Sequence, residues 1–315
     1  MEYTRPILLF NRHLETIYPA LLRHVIISPA RAERIPTPDG DFLDLDWYDS
    51  NSDKLIIISH GLEGNSKRAY MLGMAKAFFS SGFDALAWNY RGCSGEMNFA
   101  PRFYHSGATE DLDTVVRHAM KQSKYKSINL IGFSLGGNLT LKYLGEEHLS
   151  VGAINKAVVF SVPLDLDSSC MALSRMENWL YVRRFLKSLK SKIKQKRRWM
   201  DIDMLIHLNS ISTLREFDDH ITGPLHGFKN ALDYYSQCSS KNFIQQIKTF
   251  TLVINARNDP FLSPDCFPEN FGNPCIQFHY PQHGGHVGFT LFNEKNLYWS
   301  EIRALEFISG ANQKL

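Results

Sequence analysis

The sequence runs to 315 residues, 44% of them hydrophobic and 21% charged, with a formal net charge of +3 at pH 7. That length fits one α/β domain with an insertion, and the apolar share is enough for a sizeable core. The slight charge excess gives no global case for a nucleic-acid partner, and no apolar run approaches the ~20 residues that span a bilayer. The opening stretch MEYTRPILLFNRHLETIYP carries an acid at position 2 and only a short apolar patch, so it does not read as a signal peptide. Five cysteines, Cys93, Cys170, Cys238, Cys266 and Cys275, show no CxxC or CxxH spacing. They give no zinc site and are expected as reduced thiols in a cytoplasmic protein.

In chain order, RAERIPTPDGDFLDLDWYD alternates in polarity around Asp39-Gly40, which predicts an antiparallel hairpin at the entry to a sheet. KLIIIS, Lys54 to Ser59, is apolar on both faces, as a buried parallel strand is. Helical spacing follows from Lys67 to Ser80, then a strand from Phe83 to Tyr90. Thr109 to Gln122 opens on a threonine with acids in its first turn, a helix N-terminus. Ser127 to Phe133 reads as a strand, GNLTLKYLGEE as a helix and Lys156 to Ser161 as a strand. Further strands are expected at Thr249 to Ala256 and Cys275 to Tyr280, with a last helix over roughly Asn296 to Ser309.

This alternation predicts a mostly parallel twisted sheet with helices on both faces. The rhythm breaks between about Asp165 and Gln237, which is helix-rich and contains RRFLKSLKSKIKQKRR, Arg183 to Arg198, with nine basic residues and no acid. An inserted helical cap is expected there, dividing the chain into a first core part (1–164), the cap (165–237) and a second core part (238–315). The basic run lacks interleaved aromatics except Phe185 and Trp199 at its margins, so it does not argue for nucleic acid. It reads first as a solvated face over the site; peripheral membrane contact through Arg183 to Arg198 is the second reading.

The chemistry-bearing pattern is INLIGFSLGGN, where Gly132, Ser134 and Gly136 make G-x-S-x-G between a strand and a helix. At such a turn the serine hydroxyl stands exposed above the sheet, and glycines supply clearance. A serine hydroxyl is a weak nucleophile near neutral pH, so a base must take its proton and a third group must orient that base. Asp259, in NARNDPF just beyond the strand from Thr249, is the expected acid, with Asp265 its rival and Asp201 and Asp203 assigned to the cap. PQHGGHVGF supplies two histidines; His286 is the expected base because the glycines before it allow a tight loop, and His283 is the alternative. His13, His105, His220 and His226 stay outside the choice. Acyl transfer also needs donors for the developing oxyanion. The backbone N–H groups of Leu135, after the serine, and Leu62, in SHGLEGNS after the first parallel strand, are the expected pair.

The blocks NRHLETIYP, PDGDFLDLDW, ISHGLEGNS, NYRGCSGEMN, FYHSGATEDL, GFSLGGN, REFDDHITGPLHGF, NARNDPF and HGGHVGF span nearly the whole chain. Together they resemble the YheT-like branch of the α/β-hydrolase superfamily, which includes bacterial hydrolases and membrane-anchored, lipid-active animal relatives. The resemblance implies an α/β-hydrolase fold and puts nucleophile, acid and base on Ser134, Asp259 and His286. It also assigns FDDHITGPLHGF to the surroundings of the site, and it sets Glu15 where glutamine is expected. The function expected is a serine esterase acting on carboxylic esters through an acyl-enzyme, with a small-molecule or lipid ester substrate and no cofactor or metal. A lipase, phospholipase or thioesterase is a second reading, and a non-catalytic binding protein on the same fold a third.

Overall fold

The computed structural model describes residues 2–269 and 272–310. Its frame is an eight-stranded sheet in the order β1-β2-β4-β3-β5-β6-β7-β8. The hairpin β1 (Arg31–Pro36) and β2 (Phe42–Tyr48) turns at Asp39-Gly40, and β2 pairs antiparallel with β4 (Asp84–Asn89). From β4 onward every pairing is parallel, through β3 (Lys54–Ser59), β5 (Ser127–Phe133), β6 (Ile154–Phe160), β7 (Phe250–Ile254) and β8 (Ile276–His279).

The two-residue period of the strands divides the core. Leu55 and Ile57 of β3 join one apolar cluster with Leu112 and Val115 of α3 (Thr109–Lys121) and Leu139 of α4 (Leu135–Gly145). Ile56 and Ile58 face the other way, against Met74 and Phe78 of α2 (Ala69–Phe79) and Trp299 of α11 (Trp299–Ser309). Both faces of a parallel sheet are thereby covered, which is why its strands read as unbroken apolar runs.

Between β6 and β7 come α5 (Leu166–Leu173), α6 (Trp179–Gln195), α7 (Ile202–His207), α8 (Leu214–Phe217), α9 (Gly223–Leu225) and α10 (Ala231–Cys238). A third apolar cluster, including Val182, Leu186, Phe217 and Ile221, joins this interval to Phe103 and Phe261 of the core loops.

Several sequence expectations shift. Helix α4 begins at Leu135, directly after the serine, rather than at Gly137, and α11 begins at Trp299 rather than near Asn296. Asp265, the rival acid, lies in a single 3-10 turn, Pro264–Cys266. The basic run is not uniformly solvated. Lys196 is 1% exposed, donating from Nζ to Asn98 Oδ1 at 2.7 Å, and Lys192 donates to Glu63 Oε1 at 2.7 Å. Burial pushes Lys196 down to about 8. A helix missed from the sequence, α1 (Arg12–Leu22), carries an internal proline and is capped by Asn11, whose side chain accepts from the amides of His13 and Leu14.

The NYRGC block after β4 has a structural task. Arg91, 2% exposed, forms two bonds to Asp111 of α3 (2.8 and 2.7 Å) and reaches Asp39 and Asp41 of the hairpin at 2.9 Å. Its guanidinium ties the loop after β4 to the hairpin and to α3, and it supplies the main partner of the buried Asp111 carboxylate. Arg91→Met leaves the buried Asp111 carboxylate with only Arg102 at 3.6 Å, while Asp41 keeps its bonds from Asn98 and the backbone; the unfolding free energy, measured in urea, is expected to drop by about 3–5 kcal/mol.

Candidate active site

In an open parallel sheet the loops after the strands gather at one edge, where ligands bind. Ser134 follows β5, Asp259 follows β7 and His286 follows β8. The β3 loop, Ser59 to Ser66, adjoins the serine because β3 pairs directly with β5.

Ser134 has φ +53° and ψ −119°, a left-handed conformation that costs a non-glycine residue about 1–3 kcal/mol. The turn closes so tightly that a Cβ at Gly132 would lie 2.5 Å from the Gly136 carbonyl oxygen, and one at Gly136 2.5 Å from that of Ser59. The Ser134 amide is held by the Phe160 carbonyl at 2.8 Å. His286 Nε2 stands 2.9 Å from Ser134 Oγ, and its Nδ1 2.9 Å from Asp259 Oδ2. The Asp259 carboxylate is fully buried and also accepts from the Phe261 amide at 2.9 Å. A carboxylate accepting from Nδ1–H leaves the Nε2 lone pair facing the serine. Phe261 packs on the imidazole, ring centres 4.2 Å apart.

The rival groups fall elsewhere. His283 is half exposed, 3.9 Å from Glu15 and 3.5 Å from Asn258. Asp265, Asp201 and Asp203 are exposed. His13 is hydrogen-bonded to the Tyr181 hydroxyl at 3.2 Å, and His220 stacks on His207. His105 and His226 line the cavity; His105 Nδ1 accepts from the Gly107 amide, and both ring nitrogens of His226 are held by the Thr222 and Phe103 backbone.

The loop carrying Leu62 is built around His60. Burial drives its imidazole down to about 3, so it is neutral, with Nδ1–H donating to the Gly61 carbonyl (2.8 Å) and Nε2 accepting from the Tyr90 amide (3.2 Å). Tyr70 accepts from the Gly61 amide at 3.0 Å, and Tyr104 accepts from that of Glu63 at 2.9 Å. A Cβ on Gly61 would come 3.2 Å from the Ser134 Cβ, so the loop abuts the serine. Leu62 and Leu135 both line the cavity beside Ser134, and among the described residues neither amide has a protein acceptor. Glu63, in turn, is held by Lys192 and by the Ser188 hydroxyl of α6, so the basic helix anchors the loop.

Above these groups opens a cavity of about 520 Å³, walled chiefly by apolar side chains of α1, α6 and the helices after it. The FDDHITGPLHGF block supplies a π-helical turn, Asp218–Thr222. Asp218 accepts from the Tyr235 hydroxyl at 2.6 Å and faces the cavity, and burial pushes its carboxyl up to about 6.

Sequence reasoning missed the support of the histidine loop. Glu15, 1% exposed, accepts from the Gly284 amide (2.5 Å) and Asn258 Nδ2 (3.0 Å), while the Thr16 hydroxyl accepts from the His286 amide (2.9 Å). Val287 sits at φ +56°, an outlier for a β-branched residue, with its amide held by Ser161 Oγ at 2.9 Å. The only sequence signal was the NRHLETIYP block itself, since nothing in spacing links residues 269 positions apart.

The comparisons with known proteins agree with this architecture. Residues 54–291 match the family described as alpha/beta hydrolase fold. YheT of Escherichia coli (strain K12), a protein provisionally named as an esterase, is 33% identical over 310 residues, covering 95% of this chain and 90% of its own. Phospholipase ABHD3 of Mus musculus is 32% identical over 305 residues, covering 87% of this chain and 73% of its own. Among solved structures, the Pyrococcus furiosus esterase Pf2001 superposes with a TM-score of 0.61 at 20% identity, covering 91% of this chain and 98% of its own, which speaks to the fold. The chain belongs to the α/β-hydrolase family and, within it, to the YheT-like branch.

Glu15→Ala leaves the Gly284 amide and the Asn258 side chain without their buried acceptor, and is expected to cost about 1–3 kcal/mol in thermal or urea unfolding. Glu15→Gln keeps an acceptor oxygen and is expected to lose less than half of that.

Proposed function

We propose that the protein is a serine hydrolase of carboxylic esters. The observation that carries the reading is the continuous hydrogen-bonded chain from Ser134 Oγ through the His286 imidazole to the buried Asp259 carboxylate, at the floor of an apolar cavity. In this mechanism Ser134 Oγ attacks the acyl carbonyl as His286 Nε2 takes its proton. Asp259 holds the imidazole in the productive tautomer and stabilises its cation. The oxyanion of the tetrahedral intermediate is met by the N–H groups of Leu62 and Leu135, donors worth roughly 3–4 kcal/mol apiece in comparable sites. His286 then gives its proton to the departing alcohol, leaving an acyl-enzyme. Water, deprotonated by the same histidine, releases the acid and restores the serine. Every group in the cycle belongs to the chain, so no cofactor is invoked.

The apolar walls favour esters with an extended acyl group, and the phospholipase name of the mouse relative supports a lipid-directed variant of the same chemistry. A non-catalytic binding protein has no use for the strained serine or for a histidine oriented by a buried carboxylate. A cytoplasmic location belongs to this reading and rests on five free cysteines.

Two variants and one substrate series test it. Ser134→Ala is expected to lower kcat on p-nitrophenyl esters by roughly 10³-fold or more, and Asp259→Asn by about 10⁴-fold, with little change in KM. Full retention of ester hydrolysis in Ser134→Ala would overturn the assignment. Across p-nitrophenyl esters of rising chain length, kcat/KM is expected to climb as each methylene adds about 0.8 kcal/mol of burial, until the cavity is filled.

A further inference from the structure

The mouth of the cavity lies between α1 and α6. Leu21 on α1 and Leu180 on α6 both line the cavity, and yet they are 62% and 64% exposed. The helices are joined beside the mouth by stacking of His13 on Tyr181 and by an ion pair of Arg12 with Glu177. Around this seam large apolar side chains face outward: Ile7, Leu8 and Phe10 just before α1, Leu22 at its end and Ile26 beyond it, Met176 in the turn before α6 and Trp179 at its start. A water-facing cluster of this kind marks an interaction surface.

Its charge is also one-sided. On α6, Trp179, Arg183 and Lys187 follow at i, i+4 and i+8, all exposed, with Arg184 beside them at the cavity edge. The Arg183 guanidinium lies 5.4 Å from the Trp179 ring centre. Arg183, Arg184 and Lys187 have no acidic partner among the described residues, and Glu177 is already engaged by Arg12. Protein interfaces deplete charge at their apolar centres. Aliphatic and indole side chains interleaved with unpaired long cations instead suit a lipid surface, where the apolar groups enter the acyl boundary and the cations meet phosphate.

We propose that this rim docks on anionic phospholipid at a lipid–water interface, with the cavity mouth turned toward the lipid, so that an acyl ester passes from the lipid layer between Leu21 and Leu180. The passage of the ester rests on the hydrolase reading above; the docking does not. The basic helix has two faces under this proposal: its inner lysines anchor the Leu62 loop and the core, while its outer cations hold the membrane.

The test is co-sedimentation of the full chain with phosphatidylcholine vesicles and with vesicles of equal parts phosphatidylcholine and phosphatidylglycerol, alongside hydrolysis of a short-chain, water-soluble p-nitrophenyl ester. Wild-type protein is expected to bind the anionic vesicles, more weakly in high salt, and to bind phosphatidylcholine poorly. Arg183→Glu/Lys187→Glu is expected to lower partitioning to anionic vesicles at least ~10-fold, from about 1 kcal/mol for each cation removed. Leu8→Glu/Trp179→Glu, which leaves these cations in place, is expected to lower it to a similar extent. Both pairs lie outside the cavity lining and should keep short-chain hydrolysis within about twofold of wild type, which also shows that they fold. The proposal fails if anionic vesicles are not bound, or if either pair leaves binding unchanged. It also fails if the apolar pair instead converts a dimer into a monomer, which would make the rim a contact between copies. Vesicle binding by a chain that does not cleave the soluble ester would keep the docking and remove the hydrolase reading.

Discussion

The structure is organised by the reversal of the chain at Ser134. Strand β5 ends, the backbone passes through φ +53°, and α4 starts at the next residue. Such a reversal fits only if nothing projects from Gly132 or Gly136, whose missing side chains let two carbonyl-bearing segments approach to distances no Cβ tolerates. The sheet must hold this turn in place, and it does so from the middle: β3 and β6 flank β5, and the Phe160 carbonyl takes the serine amide. A strained residue persists where its surroundings over-determine it. Here the strain holds the hydroxyl clear of the sheet, with a neighbouring loop on one side and an imidazole on the other.

What surrounds the serine comes from distant parts of the chain, each fixed by buried polar contacts rather than by a regular element. The loop with Leu62 rests on a neutral, wholly buried histidine and three tyrosines, and its Glu63 is gripped by Lys192 from α6. The histidine loop leans on α1 through Glu15 and Thr16. Displacing α6 therefore pulls on the Leu62 loop, and displacing α1 pulls on the imidazole. The two helices that frame the cavity mouth are the same two that hold the polar groups at its floor.

Much of this was readable in the sequence because the signals were local. Doubly apolar runs named the parallel strands, Asp39-Gly40 named the hairpin, and G-x-S-x-G between a strand and a helix singled out Ser134. Asp259 and His286 followed from their places after later strands, and these three side chains are hydrogen-bonded to one another. The unread parts depend on partners far away in sequence. Helix α1 has a proline inside it, and its value to the site lies in contacts to residues 284 and 286 that no periodicity encodes. The basic run looked uniform, because composition alone does not say which lysines of a helix turn inward; burial of Lys196 and pairing of Lys192 are decided by what packs beneath them.

Segments early and late in the described chain are tied together near the site. Besides Glu15 and Thr16, Arg23 forms a buried, two-pronged ion pair with Glu301, and the Tyr3 hydroxyl donates to the Thr290 carbonyl. Synthesis runs from the N-terminus, so the strained serine and the loop beside it emerge well before the histidine. Until the last strand and helix are made, Glu15, Thr16 and Arg23 lack their partners in that part of the chain, and the Ser134 hydroxyl lacks the imidazole that stands beside it. The turn is thereby made before its hydrogen-bonding partner: a nascent or C-terminally shortened product carries the strained serine without the imidazole that meets its hydroxyl.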